Sequence, residues 1–245
     1  MTDSVRLAKR LAAQLPCSRR EAELYIESGW VTVDGAVVDV VGFRIEAEQK
    51  IELAAQANLE MTGPVTLLLH LPVDTAPTQH EIANGDVLQR WVSPASQSIM
   101  DTSGFQLLPR HLRDNPKLLP LQSGASGLVI FSQEETVRRK LIEDAAKVEQ
   151  EYVVEVVGDL LPHGLALLNH GLSWNGRPLA AIKVSWQNET RLRFAVKGVQ
   201  PNQIKGMCAQ VGLTVVSMRR IRVGRVGMGG LEHGTWRFLL SGERF

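Results

Sequence analysis

The chain has 245 residues, 44% of them hydrophobic and 22% charged, which suits a soluble globular protein with room for one large domain and one small one. A net charge of +1 leaves no global basicity to announce nucleic acid, so the distribution of charge matters more than its total. Two distant cysteines, Cys17 and Cys208, make no disulfide framework and have no zinc-ligand company, and with no signal-peptide core and no apolar run near the roughly 20 residues of a membrane span, a cytoplasmic protein is expected by elimination.

From Val5 to Leu15, Leu7, Leu11 and Leu15 recur every fourth position with Ala8 and Ala12 beside them, and predict one face of a helix that Pro16 stops. Arg6, Lys9 and Arg10 fall mostly off that face. Ser18-Arg19-Arg20-Glu21 has the form of a capping box that opens a second helix, with Ala22 and Ile26 inward and Gly29 at its end. Val31 to Val38 then reads as a hairpin turning at Asp34-Gly35. This order, with Ser-Arg-Arg at the second helix and Val-x-Val-Asp-Gly after it, resembles the S4-like RNA-binding domain over residues 5–52. Asp34 stands where that family usually has Asn, and either residue suits the turn. The resemblance implies RNA contact through Arg6, Lys9, Arg10, Ser18, Arg19 and Arg20. Arg19 and Arg20 sit at a helix start, where free amides and the helix dipole also attract phosphate. The alternative is a solvated basic face. Acidic residues dominate from 39 to 52, as expected for the far side of the domain.

Residues 53–63 have the look of a linker, and the expected division is a domain at 1–56, a linker at 57–63 and a larger domain at 64–245. Val65 to His70 is a buried-looking strand, whereas residues 73–117 have weak periodicity and yield no confident element. Gly127 to Phe131 is a glycine and an apolar run, read as a buried strand behind a Gly/Ser-rich loop, with an amphipathic helix from Glu134 to Lys147 after it. Tyr152 to Gly158 is a strand, and a short helix covers Leu165 to Leu168. Ala181 to Trp186 and Arg191 to Val196 alternate as hairpin strands. Leu213 to Val223 is a long strand, and Thr235 to Leu240 closes the sheet. Arg219, Arg220, Arg222 and Arg225 crowd one stretch, either as a second phosphate-binding strip or as a solvated strand face.

The stretch Leu119-Pro120-Leu121-Gln122-Ser123-Gly124-Ala125-Ser126-Gly127-Leu128-Val129-Ile130-Phe131-Ser132 resembles the signature of the pseudouridine synthases, in which Gly-Arg-Leu-Asp precedes Thr-Ser-Gly-Leu-Leu-Leu-Leu-Thr and carries the catalytic aspartate. Registering Ser126-Gly127-Leu128 on that pattern puts Pro120 at the family's arginine and Gln122 at its aspartate. Gln150-Glu151-Tyr152-Val153-Val154 resembles the Lys-x-Tyr-x-Val motif, whose tyrosine stacks on the target base; Tyr152 is kept and Gln150 replaces the lysine. Gln203-Ile204-Lys205-Gly206-Met207 resembles Gln-Val-Arg-Arg-Met, with Lys205 and Gly206 in place of the two arginines. His70-Leu71-Pro72, with Asp74, replaces the Asn-Lys-Pro-x-Gly that borders the family's active site.

The resemblance implies an α+β fold: a small S4-like domain and a larger synthase-like domain built on a mixed, mostly antiparallel sheet. It implies structured RNA, ribosomal by default, as partner, no metal, no cofactor, no membrane, and a monomer. The expected site residues are Gln122, Tyr152 and Lys205. A glutamine amide is neutral and cannot act as the carboxylate does, so the first expectation is an RNA-binding protein without isomerase activity. The alternative is an active synthase that recruits Asp74 or Asp101, although Asp101-Thr102-Ser103-Gly104 has no apolar strand after it and reads as a coincidental match. A third possibility is a structural or protein-interaction module that has left RNA, which the basic first helix argues against.

Overall fold

Residues 4–73 and 86–245 are described in the computed structural model. Their contacts divide the chain into Met1–Pro64 with Gly104–Asn115, and Val65–Ser103 with Pro116–Phe245. The first unit opens with strand β1 (Val5–Arg6) and helix α1 (Leu7–Gln14). The helix starts later than its periodicity suggests because Val5 and Arg6 are extended and pair with Ile45 and Arg44 of β4 (Arg44–Ile45). Helix α2 (Arg19–Glu27) has the full capping box: Glu21 N–H donates to Ser18 Oγ at 3.2 Å, and Ser18 N–H to the Glu21 carboxylate at 2.7 Å. Such a cap contributes about 1 kcal/mol. Strands β2 (Val31–Val33) and β3 (Ala36–Val37) form the expected hairpin, and β5 (Ile51–Leu53) pairs on the other edge of β2. Asp34 and Gly35 have φ of 52° and 81°, as a type I′ turn requires. The Asp34 carboxylate also accepts from Lys50 N–H at 2.9 Å and from Gln49 at 2.8 Å, tying the turn to the start of β5. Leu7, Leu11, Ala22, Ile26, Val31, Val33 and Ile45 form one buried cluster beneath these elements.

The second unit is built on a nine-stranded sheet. It contains β6 (Thr66–Leu71), then α3 (Asp86–Trp91), β7 (Lys117–Leu118), β8 (Ser126–Ser132), α4 (Glu135–Glu143), β9 (Glu149–Gly158) and α5 (Gly164–Asn169). The small hairpin β10 (Ser173–Trp174) and β11 (Arg177–Pro178) follows, then β12 (Lys183–Trp186), β13 (Arg191–Lys197), α6 (Gln203–Gln210), β14 (Leu213–Val223), β15 (Val226–Gly227) and β16 (Trp236–Phe238). The order is β12-β13-β9-β14-β8-β6-β16, with β15 on β14 and β7 on β8. Among the described residues only β14 and β8 run parallel; the other strand pairs of the sheet are antiparallel, so the mixed, mostly antiparallel sheet is as expected. β8 is buried along its whole length, which is why its sequence runs apolar without alternation. Helices α5 and α6 pack with Tyr152, Val154, Val156, Phe194 and Met218 in one core cluster.

Within residues 73–117, which yielded no element from sequence, the described part is short: α3, 3-10 turns at Pro94–Ser96 and Pro109–Leu112, and two-residue β7. Gly104–Asn115 belongs to the first unit, although sequence reading assigned it to the larger domain. There Arg113 pairs with Asp39, Arg110 with Glu27 at 3.7 Å, and the ring of Pro109 packs on Gly29. Residues 57–63, expected as a linker, carry a 3-10 turn at Leu59–Thr62, where the buried Thr62 hydroxyl donates to Leu59 O at 2.7 Å.

Candidate functional site

The central loop is organised by a glycine and an arginine that face each other across the parallel strand pair. Gly127 opposes Arg220, and Arg220 opposes Tyr152, so the three form one row across β8, β14 and β9. Gly127 has φ 107°, and a β-carbon there would lie 2.2 Å from the Arg220 carbonyl oxygen. Only glycine permits that approach. The Arg220 side chain is completely buried. Its Nε donates to Leu128 O at 2.9 Å, and its Nη1 donates to Leu119 O at 2.7 Å, Pro120 O at 3.4 Å and Gln150 Oε1 at 2.9 Å. The guanidinium thus fixes the loop that carries Gln122 to the sheet.

Gln122 lies at the turn of that loop, its carbonyl accepting from Ala125 N–H at 2.9 Å. The side chain is buried, and Oε1 has no hydrogen-bond partner. Tyr152 is also wholly buried, and its hydroxyl donates to Gln150 Oε1 at 3.0 Å. Burial raises the Tyr152 pKa, while Arg220 opposes that rise. One glutamine oxygen therefore joins the tyrosine and the arginine. Lys205, in the first turn of α6, reaches the same loop: its Nζ is 3.1 Å from where a β-carbon on Gly124 would be. Gln122 and Lys205 thus border one loop, and Tyr152 is linked through Gln150 and Arg220 to Leu119 and Pro120 of the same loop. Lys117 is a second, half-buried cation near Arg220. Burial, and then the neighbouring Arg220, push its pKa down to about 8.

Sequence reading missed Lys117 and took Arg220 only as one of four arginines in a strip. The signal for Arg220 was its phase: two residues from the apolar Met218, which is buried, it lies on the same face of the strand. The four-arginine strip therefore does not exist as a free surface. Arg220 is interior, and Arg222 pairs with Glu149 at 2.5 Å and Glu151 at 2.8 Å.

Of the alternative acids, Asp101 is occupied. It accepts from Phe238 N–H at 2.9 Å, Ser103 N–H at 2.8 Å and Gln97 at 3.0 Å. Phe238 pairs with Leu67 and Gly127 with Leu71, four residues further along β6, or about 13 Å at strand rise. Asp74 lies outside the described residues.

In the first unit, Arg6, Lys9, Arg19 and Arg20 are exposed, and Ser18 is occupied by the cap. Arg20 makes a loose 3.6 Å pair with Glu23. Arg10 differs: its guanidinium donates to Glu46 O at 2.5 Å and Ala47 O at 2.6 Å, so it holds the turn between β4 and β5. Among the described residues no group of three or more His, Cys, Asp or Glu could hold a metal, and no helix is long and apolar enough to cross a membrane.

Residues 5–51 match the S4 domain. Along its length the chain is similar to an uncharacterized RNA pseudouridine synthase of Aquifex aeolicus, with 24% identity over 98% of this chain and 94% of the relative. It is similar to the ribosomal small subunit pseudouridine synthase A of Vibrio cholerae at 23% identity over 98% and 97% of the two chains. The dual-specificity RNA pseudouridine synthase of Escherichia coli strain K12 is 22% identical over 98% of this chain and 77% of the relative. Among solved structures, a pseudouridylate synthase shares the fold with a TM-score of 0.54 at 18% identity, covering 96% of each chain. The chain thus carries an S4 domain at residues 5–51 and is similar over nearly its whole length to RNA pseudouridine synthases, one of whose solved structures shares its fold.

Proposed function

We propose that the protein binds structured RNA, ribosomal RNA by the names of its relatives, on the synthase scaffold and without isomerase activity. The observation that carries the second half is the set of groups around Arg220. All four of its acceptors are neutral, three backbone carbonyls and the Gln150 amide, and Gln122 stands where the family has its aspartate. Breaking the glycosidic bond of a flipped uridine draws on a carboxylate, and a neutral amide supplies neither its charge nor its nucleophilicity. Loss of such a group removes most of the rate even where binding persists. The exposed cations of α1 and α2 support the RNA-binding half, since contacts of this kind set affinity and register without reading much sequence.

The test is chemical labelling of pseudouridine after incubating the purified protein with unmodified ribosomal RNA transcript, with binding to the same transcript measured in parallel. Binding without pseudouridine is the expected result. Robust turnover would overturn the proposal in favour of an active synthase, and Asp74→Asn would then ask whether that residue supplies the acid.

A further inference from the structure

We propose that the position of the family's carboxylate has become an oxyanion site, which takes a phosphate group between the cations Arg220, Lys117 and Lys205. The inference rests on the reading that Gln122 leaves the site without its acid. Its physical basis is a charge imbalance inside the second unit. Arg220 is fully buried, its acceptors are neutral, and its Nη2 has no hydrogen-bond partner. Lys117 is half-buried beside it, and the repulsion of the two cations helps hold the lysine pKa down at about 8. Among the described residues neither cation forms an ion pair, and neither does Lys205.

Buried charges are ordinarily paired, because an isolated one forfeits its hydration. Two adjacent cations with a spare guanidinium N–H ask for an anion. The loop supplies further donors: Gly124, at φ 73°, lies under Lys205 Nζ, and the Ser123 hydroxyl and the Ser123 and Gly124 N–H groups are exposed or unused there. Successive backbone N–H groups around a left-handed residue form the concave nest that binds anions. The Gln122 amide can turn its Nε2 toward the same ligand, since its oxygen has no partner holding it. A phosphate group carries the negative charge the site lacks and enough acceptor oxygens for several of these donors at once.

The experiment uses the full chain without RNA and titrates inorganic phosphate, uridine 5′-monophosphate and uridine by calorimetry. Both phosphates bind and uridine does not. A nucleotide held at least about tenfold more tightly than inorganic phosphate identifies a nucleotide phosphate as the source, and equal affinity identifies free phosphate. Gln122→Asp restores a fixed negative charge and weakens phosphate binding by at least about tenfold. Lys205→Gln, at a half-exposed position, weakens it less. A second readout needs no variant. Lys117, half deprotonated near pH 8, reacts quickly with an amine-reactive ester, and bound phosphate raises its pKa and slows that reaction by about fivefold or more. Uridine binding with phosphate silent, equal phosphate affinity in Gln122→Asp, or unchanged Lys117 labelling would each overturn the proposal. None of these results depends on RNA binding by the first unit, so the two proposals fail separately.

Discussion

Gly206 shows how one position in a site can be decided by packing. The family has an arginine there, and here a β-carbon would lie 1.8 Å from Cζ3 of Trp174. The tryptophan, on the β10–β11 hairpin, occupies the volume that a side chain on α6 would need. A side chain at 206 and Trp174 in its present position thus exclude each other. Gly206→Arg is expected to destabilise the protein by about 2 kcal/mol, in the range for overpacking, as measured by urea unfolding. Adding Trp174→Ala should recover part of that loss. If Gly206→Arg alone is neutral, the tryptophan is free to swing away and the coupling is absent. By contrast, Gln122 and Lys205 border a loop with exposed members, Ser123 and Gly124.

Elements with strong sequence signals formed as read, and the reason is local. α2 has its capping box, β2–β3 its Asp-Gly turn, β8 its unbroken apolar run and β14 its length. What stayed illegible depends on distant partners. The turn at Pro109–Leu112 has no periodicity, and Leu108 N–H donates to Nδ1 of buried His111 at 3.2 Å to hold it. Arg220 looked like one cation among four until β8 and β9 were placed on either side of it. Likewise Arg10 and Arg19 are indistinguishable as sequence, yet Arg10 holds two backbone carbonyls and Arg19 stands exposed at the start of α2. That difference makes α2 the element to test. Arg19→Glu with Arg20→Glu should weaken binding to structured RNA and flatten its salt dependence by about two counterions' worth, because each lost phosphate contact lowers the slope by roughly one. Arg6→Glu should act in the same direction, whereas Arg10→Glu should lower thermal stability first. Unchanged affinity and slope in the α2 variant would place the RNA surface elsewhere.

At the scale of the whole chain, the first unit is discontinuous, because Gly104–Asn115 leaves the second unit's sequence and packs with Met1–Pro64. A segment of a dozen residues with one short 3-10 turn has too little apolar surface to order itself, so its order comes from its partners. Those partners are specific: Arg113 on Asp39, Arg110 on Glu27, and Pro109 against Gly29. A fragment beginning at Val65 removes every one of them while retaining the nine-stranded sheet and its core clusters. The fragment is therefore expected to unfold cooperatively, as a sheet with its own core should, yet to be cut rapidly by trypsin after Arg110 and Arg113. The full chain resists cleavage at both sites, because its backbone there is held by the ion pairs and by His111. Mass spectrometry of the early digest reads the outcome directly. A fragment that resists trypsin at these arginines would mean that 104–115 is ordered by the second unit, and a fragment with no cooperative transition would mean that the sheet needs the first unit to fold.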